Sequence, residues 1–522
     1  MDQPGRNAVN DESIAKKRLM VRPTHRHLGS AIRLAAFAGV STLLLSGCGN
    51  GEDEHAKQVE ADKAATSDSA LIKQGLYMAQ ASDCAACHTT EDGEDYAGGL
   101  TFETPVGEIF STNITPDTEH GIGNYTLEEY TRVLREGEAA DGHNLYPAMP
   151  FPSYARLTDD DIKALYAWNM HDVEPSSTPN RESEIPFPLN MRWPMGLWEE
   201  IFSPLEPWQD TADKSADWNR GAYLVQGPGH CGSCHTERGL AFQEKALTGD
   251  EEGYLGGAMI EGWRAFNLTP DIKDGLGSWS EQDIVTYLST GNLKGKAQAG
   301  GPMADVITHS MRHMTDEDLN AMAVYLKSLP ALNGKGEQGE AVNDDDRKAE
   351  AAKSSEKQAD DKGSQDTPQV ATRFNQGAPA DDVLLLRGQP LDKRPDDEDL
   401  IGQLTEATPG VRLYLGHCAM CHGADGAGTQ DGYYPSLFHN SVTGSVYPDN
   451  LAQAILNGVQ RENNGHSVFM PAFDTSLTDD ELINLMDYLE NRFGEGHQAK
   501  TLATPDTRRQ QLSDKLEDWR GE

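Results

Sequence analysis

Six of the seven cysteines in this 522-residue chain fall into three copies of one pattern, Cys-X-X-Cys-His. The copies run from Cys84 to His88, from Cys231 to His235 and from Cys418 to His422. Two thiols so spaced can add across the vinyl groups of a haem, and the adjoining histidine can supply the proximal ligand to its iron. Three covalently bound haem c groups are therefore expected. Their thioether positions would be Cys84 and Cys87, Cys231 and Cys234, and Cys418 and Cys421, with His88, His235 and His422 on the irons. Other uses of paired cysteines fit less well. Zinc takes four ligands, usually from two such pairs, yet each pair here stands alone with one histidine. A redox dithiol needs no following histidine and has no reason to recur three times.

The sixth position of each iron separates an electron carrier from a catalyst. A methionine there closes the site and raises the potential. Met149, in Tyr146-Pro-Ala-Met-Pro150, and Met470, in Val468-Phe-Met-Pro471, each fall in a stretch that reads as a loop ahead of a helix. Their flexible, polarisable thioethers suit that task. In the middle segment Met303 is the expected ligand, with Met311 and His309 as rivals. His230 and His417, directly before the first cysteine of their motifs, read as exposed or capping residues. No catalytic residue is assigned.

Helices must position these groups. Thr158, Thr315 and Thr478 each precede an acidic first turn, which is a helix N-terminus signal, and Glu481 completes a capping box with Thr478. Apolar residues follow at helical spacing: Ile162, Leu165 and Tyr166; Leu319, Met322 and Tyr325; Leu482, Leu485 and Met486. These stripes are expected to pack on the motif helices. Residues 111–137 also align without gaps on 265–291, sharing Asn-X-Thr-Pro-Asp and Gly-X-Gly elements, so the first two segments read as a diverged duplication. The expected fold is all-α, with three tandem class I cytochrome c domains at 71–205, 206–332 and 405–497. A polar tether (48–70), an acidic disordered linker (333–404) and a charged tail (498–522) complete the chain, the first two being too poor in apolar residues to offset ordering entropy.

The N-terminus points to export. Lys16, Lys17, Arg18, Arg22, Arg26 and Arg33 precede the apolar run Leu34 to Leu45, which ends in Leu45-Ser46-Gly47-Cys48. Residues 1–47 thus read as a lipoprotein signal peptide and Cys48 as the lipidated residue, which would place the protein on the periplasmic side of a bacterial membrane. An uncleaved anchor helix would need about 18 apolar residues, more than this run offers. The formal net charge is −40, and loss of the basic leader would make it more negative. Nucleic acid is therefore a poor partner.

With these residues in view, the chain resembles the three-haem cytochrome c subunits of bacterial membrane-bound dehydrogenases acting on alcohols, gluconate or sorbitol. The resemblance is carried by Asp83 to Thr89, Thr104-Pro-Val-Gly107, Ser111 to Asp117, Leu145 to Pro150, Asn190-Met-Arg-Trp193, His230 to Thr236, Leu255-Gly-Gly257 and Asn267 to Asp271. It implies His88, His235 and His422 as proximal ligands and Met149, Met303 and Met470 as distal ones. It further implies a partner subunit carrying flavin or PQQ, and electron delivery to ubiquinone or a terminal oxidase. The acidic insertion from 333 and the charged tail depart from that pattern, which puts quinone reduction by this chain in doubt and leaves a lipid on Cys48 as the membrane contact. Rival readings are the cytochrome subunit of a molybdenum hydroxylase, a multihaem peroxidase with an open site at the middle iron, and a haem-based sensor.

Overall fold

The structure, a computed structural model, describes residues 50–271, 275–332, 409–493 apart from 430–431, 439, 446 and 464–465, and 510 with 512–520. The signal segment, Cys48 and the acidic linker expected at 333–404 lie outside the described residues.

One helical crossing recurs three times. In the first segment the leading helix Ser69–Ala81 lies on the closing helix Asp159–His171, and in the second Ala216–Gln226 lies on Asp316–Ser328. In the third, Pro409–Leu413 and the single π turn Tyr414–Cys418 lie on Asp479–Phe493. Each crossing is set by a glycine in the leading helix. A Cβ at Gly75 would stand 1.9 Å from the Ala164 carbonyl oxygen, at Gly221 1.9 Å from that of Ala321, and at Gly410 2.2 Å from that of Asn484. Only glycine lets the backbones approach this closely. The closing helices bury the expected stripe: Ile162, Leu165 and Tyr166, Leu319, Met322 and Tyr325, and Leu482, Leu485 and Met486 are all buried. Thr158 and Thr315 accept the backbone N–H of Asp161 and Asp318, and the Thr478 N–H donates to the Glu481 carboxylate.

The likeness between the first two segments shows in the loops as well as the helices. Asn113 Oδ1 accepts from the N–H and hydroxyl of Thr115, and its Nδ2 donates to the Ser176 carbonyl. Asn267 repeats this with Thr269 and with the Leu332 carbonyl. The Asn-X-Thr-Pro-Asp element is thus a latch that ties the loop to the chain leaving the closing helix. The helices that follow, Leu127–Glu136 and Glu281–Thr290, both start in capping boxes (Thr126 with Glu129, Ser280 with Asp283) and end at glycines with φ of 62° and 65°.

The two copies meet in a reciprocal exchange. Tyr77 in the first leading helix donates to Asp318 in the second closing helix, and Tyr223 in the second leading helix donates to Asp161 in the first, both at 2.5 Å. Arg220 adds a bidentate pair to Asp318, with both bonds 2.7 Å. Burial raises the Asp318 pKa, but the bonds from Arg220 and Tyr77 and the Arg220 charge outweigh it, so the carboxyl lies below its ordinary value. Its contribution to stability is therefore complete above the unfolded pKa of about 3.9 and is lost as pH falls through the lower folded pKa. Asp318→Asn should lower stability by about 1–3 kcal/mol near neutral pH. It should also flatten the fall in thermal midpoint below about pH 4; an unaltered acid limb would show that this carboxylate does not carry it.

The fold is mainly helical; among the described residues four small two-stranded antiparallel hairpins interrupt it, at Thr101–Thr104 with Gly107–Phe110, Ala258–Ile260 with Trp263–Ala265, Asn292–Leu293 with Ala297–Gln298, and Val459–Asn463 with His466–Met470. Two expectations need correction. The stretch 48–70, expected as a tether, includes the helix Asn50–Ala65. Its Val59 and the adjoining Thr66 are buried, Asp62 accepts the Leu127 N–H at 2.9 Å, and His171 meets the Lys63 carbonyl at 2.9 Å. Part of the charged tail is docked too. Leu512, Leu516 and Trp519 are buried, Lys515 pairs with the buried Asp449, and Arg520 pairs with Asp479. Sparse apolar residues sufficed in both places because each found a folded surface that completes its burial. Among the described residues no helix is long and apolar enough to cross a membrane.

Candidate haem-attachment sites

Each motif follows its leading helix directly and forms a short helix of its own, Cys84–His88, Gly232–His235 and Ala419–His422. None of the six cysteines is in a disulfide. Burial pushes the thiols up, Cys84, Cys87, Cys231 and Cys418 to about 12 and Cys234 to about 11. They are therefore neutral, unlike the lowered thiols of a redox dithiol. Among the described residues no three His, Cys, Asp or Glu side chains converge as a metal cluster.

The histidines are held alike. His88 Nδ1 lies 2.6 Å from the Thr112 carbonyl oxygen, His235 Nδ1 2.6 Å from that of Phe266, and His422 Nδ1 2.9 Å from that of Pro435. A carbonyl can only accept, so Nδ1 carries the proton and Nε2 is the ring nitrogen left to bind a metal. Burial lowers the pKa of His88 and of His422, which keeps both rings neutral as iron requires. The backbone is pinned as well: the carbonyls of His88, His235 and His422 accept from the N–H of Gly98, Gly257 and Gly428.

The second and third motifs open onto one apolar cavity of about 330 Å³. Cys231, Cys234, His235, Met303 and Met311 line one part of it, and Cys418, Cys421, His422 and Met470 another. The segments are stitched together around this cavity. Arg264 and Asn450 exchange two hydrogen bonds, Ser441 N–H donates to the Lys296 carbonyl, and Arg461 reaches the Ala299 carbonyl. The first motif adjoins the second: Asp83 is buried before Cys84, and His230 packs its ring edge-on to Tyr154 at 5.8 Å. His230 is half-buried at this seam and is not an exposed residue, and burial pushes its pKa down to about 4. His417 packs against Phe473 at the cavity.

The methionines are placed less uniformly than expected. Met149 does lie in a loop, half-buried against the core just before the helix Phe151–Tyr154. Met303 is instead in the first turn of the helix Pro302–His309, and Met470 ends a hairpin strand. Of the rivals to Met303, His309 lies six residues on, about 240° around the helix from it. Met311 shares the cavity but is 2% exposed and sits within the core cluster. An apolar cavity faced by paired thiols, an oriented imidazole and a thioether fits a covalently held haem. The residues that would hold it are those of the three motifs. Sequence inspection missed the shared cavity and the carbonyls that fix the imidazoles, since neither Thr112, Phe266 nor Pro435 has a side-chain signature for that role.

Helical segments that close over Cys-X-X-Cys-His motifs in this way define c-type cytochrome domains. The cytochrome c family model matches residues 73–170, and the model for cytochrome c oxidase, cbb3-type, subunit III matches 405–489. The fructose dehydrogenase cytochrome subunit of Gluconobacter japonicus is 39% identical over 88% of this chain and 86% of its own. An alcohol dehydrogenase (quinone) cytochrome c subunit of Gluconobacter oxydans is 40% identical, over 83% and 80% respectively. The gluconate 2-dehydrogenase cytochrome c subunit of Pantoea cypripedii is 37% identical, over 83% and 88%. The chain belongs to this family of dehydrogenase cytochrome c subunits.

Proposed function

We propose that this chain is a three-haem electron-transfer subunit that takes electrons from the catalytic subunit of a dehydrogenase and delivers them to the respiratory chain. The observation that carries the reading is the threefold repeat of one arrangement, a half-buried thiol pair beside an imidazole whose Nδ1 is committed to a backbone carbonyl. Bound haem c would supply a one-electron carrier at each motif. The chain's own residues do the rest. The cysteines would hold the group, the carbonyls of Thr112, Phe266 and Pro435 orient the imidazoles, and Met149, Met303 and Met470 would complete the ligand sets and leave no open position for a substrate. The three segments are read as class I cytochrome c domains, the first two from a duplication.

The partner is proposed to carry flavin or PQQ and to oxidise an alcohol, a sugar acid or a related polyol, with ubiquinone or a terminal oxidase as the acceptor. Support comes from the names of the relatives, which are fructose, alcohol and gluconate dehydrogenase cytochrome subunits. Purification from native membranes in mild detergent, followed by mass spectrometry and cofactor analysis, tests this. Copurification of a large flavin- or quinone-cofactor subunit is expected; recovery of the cytochrome alone would point to a free carrier. Attachment through lipid on Cys48, on the periplasmic side of the membrane, is part of the same proposal. Cys48→Ser should therefore shift the cytochrome from the membrane to the soluble fraction with its haem content intact, unless a partner subunit holds it there.

A further inference from the structure

Arg461 is the one buried cation at the shared cavity, among the described residues, whose two protein partners both cross from the third segment into the second. It is 3% exposed. Its Nη1 donates to the Ala299 carbonyl at 2.8 Å and its Nη2 to Gln298 Oε1 at 3.2 Å. Its Nε is buried and has no partner. The stem lies over Gly291, where a Cβ would come within 2.7 Å of Arg461 Cδ. Both partners are neutral, so the charge is not balanced by either of them. A guanidinium does not shed its proton in a protein, and a buried charge without a counterion is strongly disfavoured. The site therefore calls for an anion.

The hairpin shows where that anion would come from. Val459 pairs with Met470 and Arg461 with Val468, and cross-strand partners share one face of a hairpin. All four of these residues line the cavity, so Arg461 stands on the Met470 face while its head reaches the loop just before Met303. Haem carries two propionate carboxylates, and a forked guanidinium is the side chain best matched to a carboxylate. We infer that Arg461 binds a propionate of a haem in the shared cavity, with its Nε as the free donor, and so couples the seam between the second and third segments to the potential of that haem. This rests on the three-haem reading, and haem content is measured first to keep the two separable.

A cation held at a propionate favours the reduced haem, because it offsets the negative charge that opposes an added electron. In the holoprotein, Arg461→Gln should shift the reduction equilibrium of one haem about tenfold toward the oxidised form, about 59 mV for a one-electron couple. Arg461→Lys, which keeps the charge, should stay near wild type. A shift in the wave that Met303→Ala moves assigns the carboxylate to the second haem, and a shift in the wave that Met470→Ala moves assigns it to the third. With three haems present, equal effects of Lys and Gln, or no selective shift, would overturn the inference and leave Arg461 as a structural staple. Fewer than three haems in the wild type would instead overturn the reading beneath it. If Arg461→Gln does not assemble, an experimental structure of the haem-loaded wild type decides: a haem carboxylate oxygen within hydrogen-bond distance of Nε supports the inference, and a water or protein group there refutes it.

Discussion

Met470→Ala is expected to lower the potential of one haem and to leave the wave assigned through Met149 unchanged. A thioether on iron raises a haem potential, and the choice of axial ligands spans about 0.8 V across haem proteins. Loss of the thioether should therefore move that wave down by on the order of 0.1 V or more. The selectivity follows from the structure. Met470 ends the strand His466–Met470 and lines the cavity beside Cys418, Cys421 and His422, whereas Met149 is half-buried against the core cluster of the first two segments. Met303→Ala should act likewise on the second haem, and Met311→Ala, which removes a core side chain, should cost stability with little change of potential. Redox titration of each variant followed by visible spectra checks this. A uniform displacement of all waves would mean that the three sites are not separate, and an unmoved potential would mean that Met470 is no ligand.

Removing the second attachment site should damage the third far more than the first. Cys231→Ala with Cys234→Ala is expected to yield a protein lighter by one haem, and also to shift the third haem's wave and lower the unfolding midpoint of the segment that carries it. The reason is the single cavity of about 330 Å³ that both motifs line. An emptied apolar cavity costs about 24 cal/mol per Å³, so the loss is on the order of several kcal/mol even after partial collapse. Intact mass, redox titration and calorimetry measure the three effects. The converse variant, Cys418→Ala with Cys421→Ala, should leave the first haem at its wild-type potential. Third-site properties unaffected by loss of the second would show that the seam formed by Arg264, Asn450 and Arg461 does not couple them.

Much of this was legible in the chain because the chemistry depends on residues adjacent in sequence. A thiol pair and its histidine lie within one helical turn, so the three motifs declare themselves, as do the threonine caps and the apolar stripes of Ile162, Leu319 and Leu482. The duplicated loop is similarly local: Asn113 and Asn267 bond to a threonine two residues on. Expectations weakened wherever a segment's state depended on a distant surface. The helix Asn50–Ala65 looks too polar to order, yet Asp62 and Lys63 find partners at Leu127 and His171. The tail looks merely charged, yet Trp519 donates to Asp449 at 3.2 Å and both are buried.

The sequence by itself determined the number of Cys-X-X-Cys-His motifs, the cysteines and histidine in each, and the helix signals around them, because a five-residue motif and helix periodicity are short-range. Only the tertiary structure decided that Nδ1 of each histidine meets a carbonyl, that the first two copies exchange tyrosine–aspartate bonds, and that the second and third motifs face one cavity. Those features depend on backbone groups and on pairs such as Tyr77 with Asp318 or Arg461 with Ala299, which lie far apart in the chain. Proximity of that kind leaves no pattern in a single sequence, since a carbonyl is common to every residue and the partner is chosen by packing.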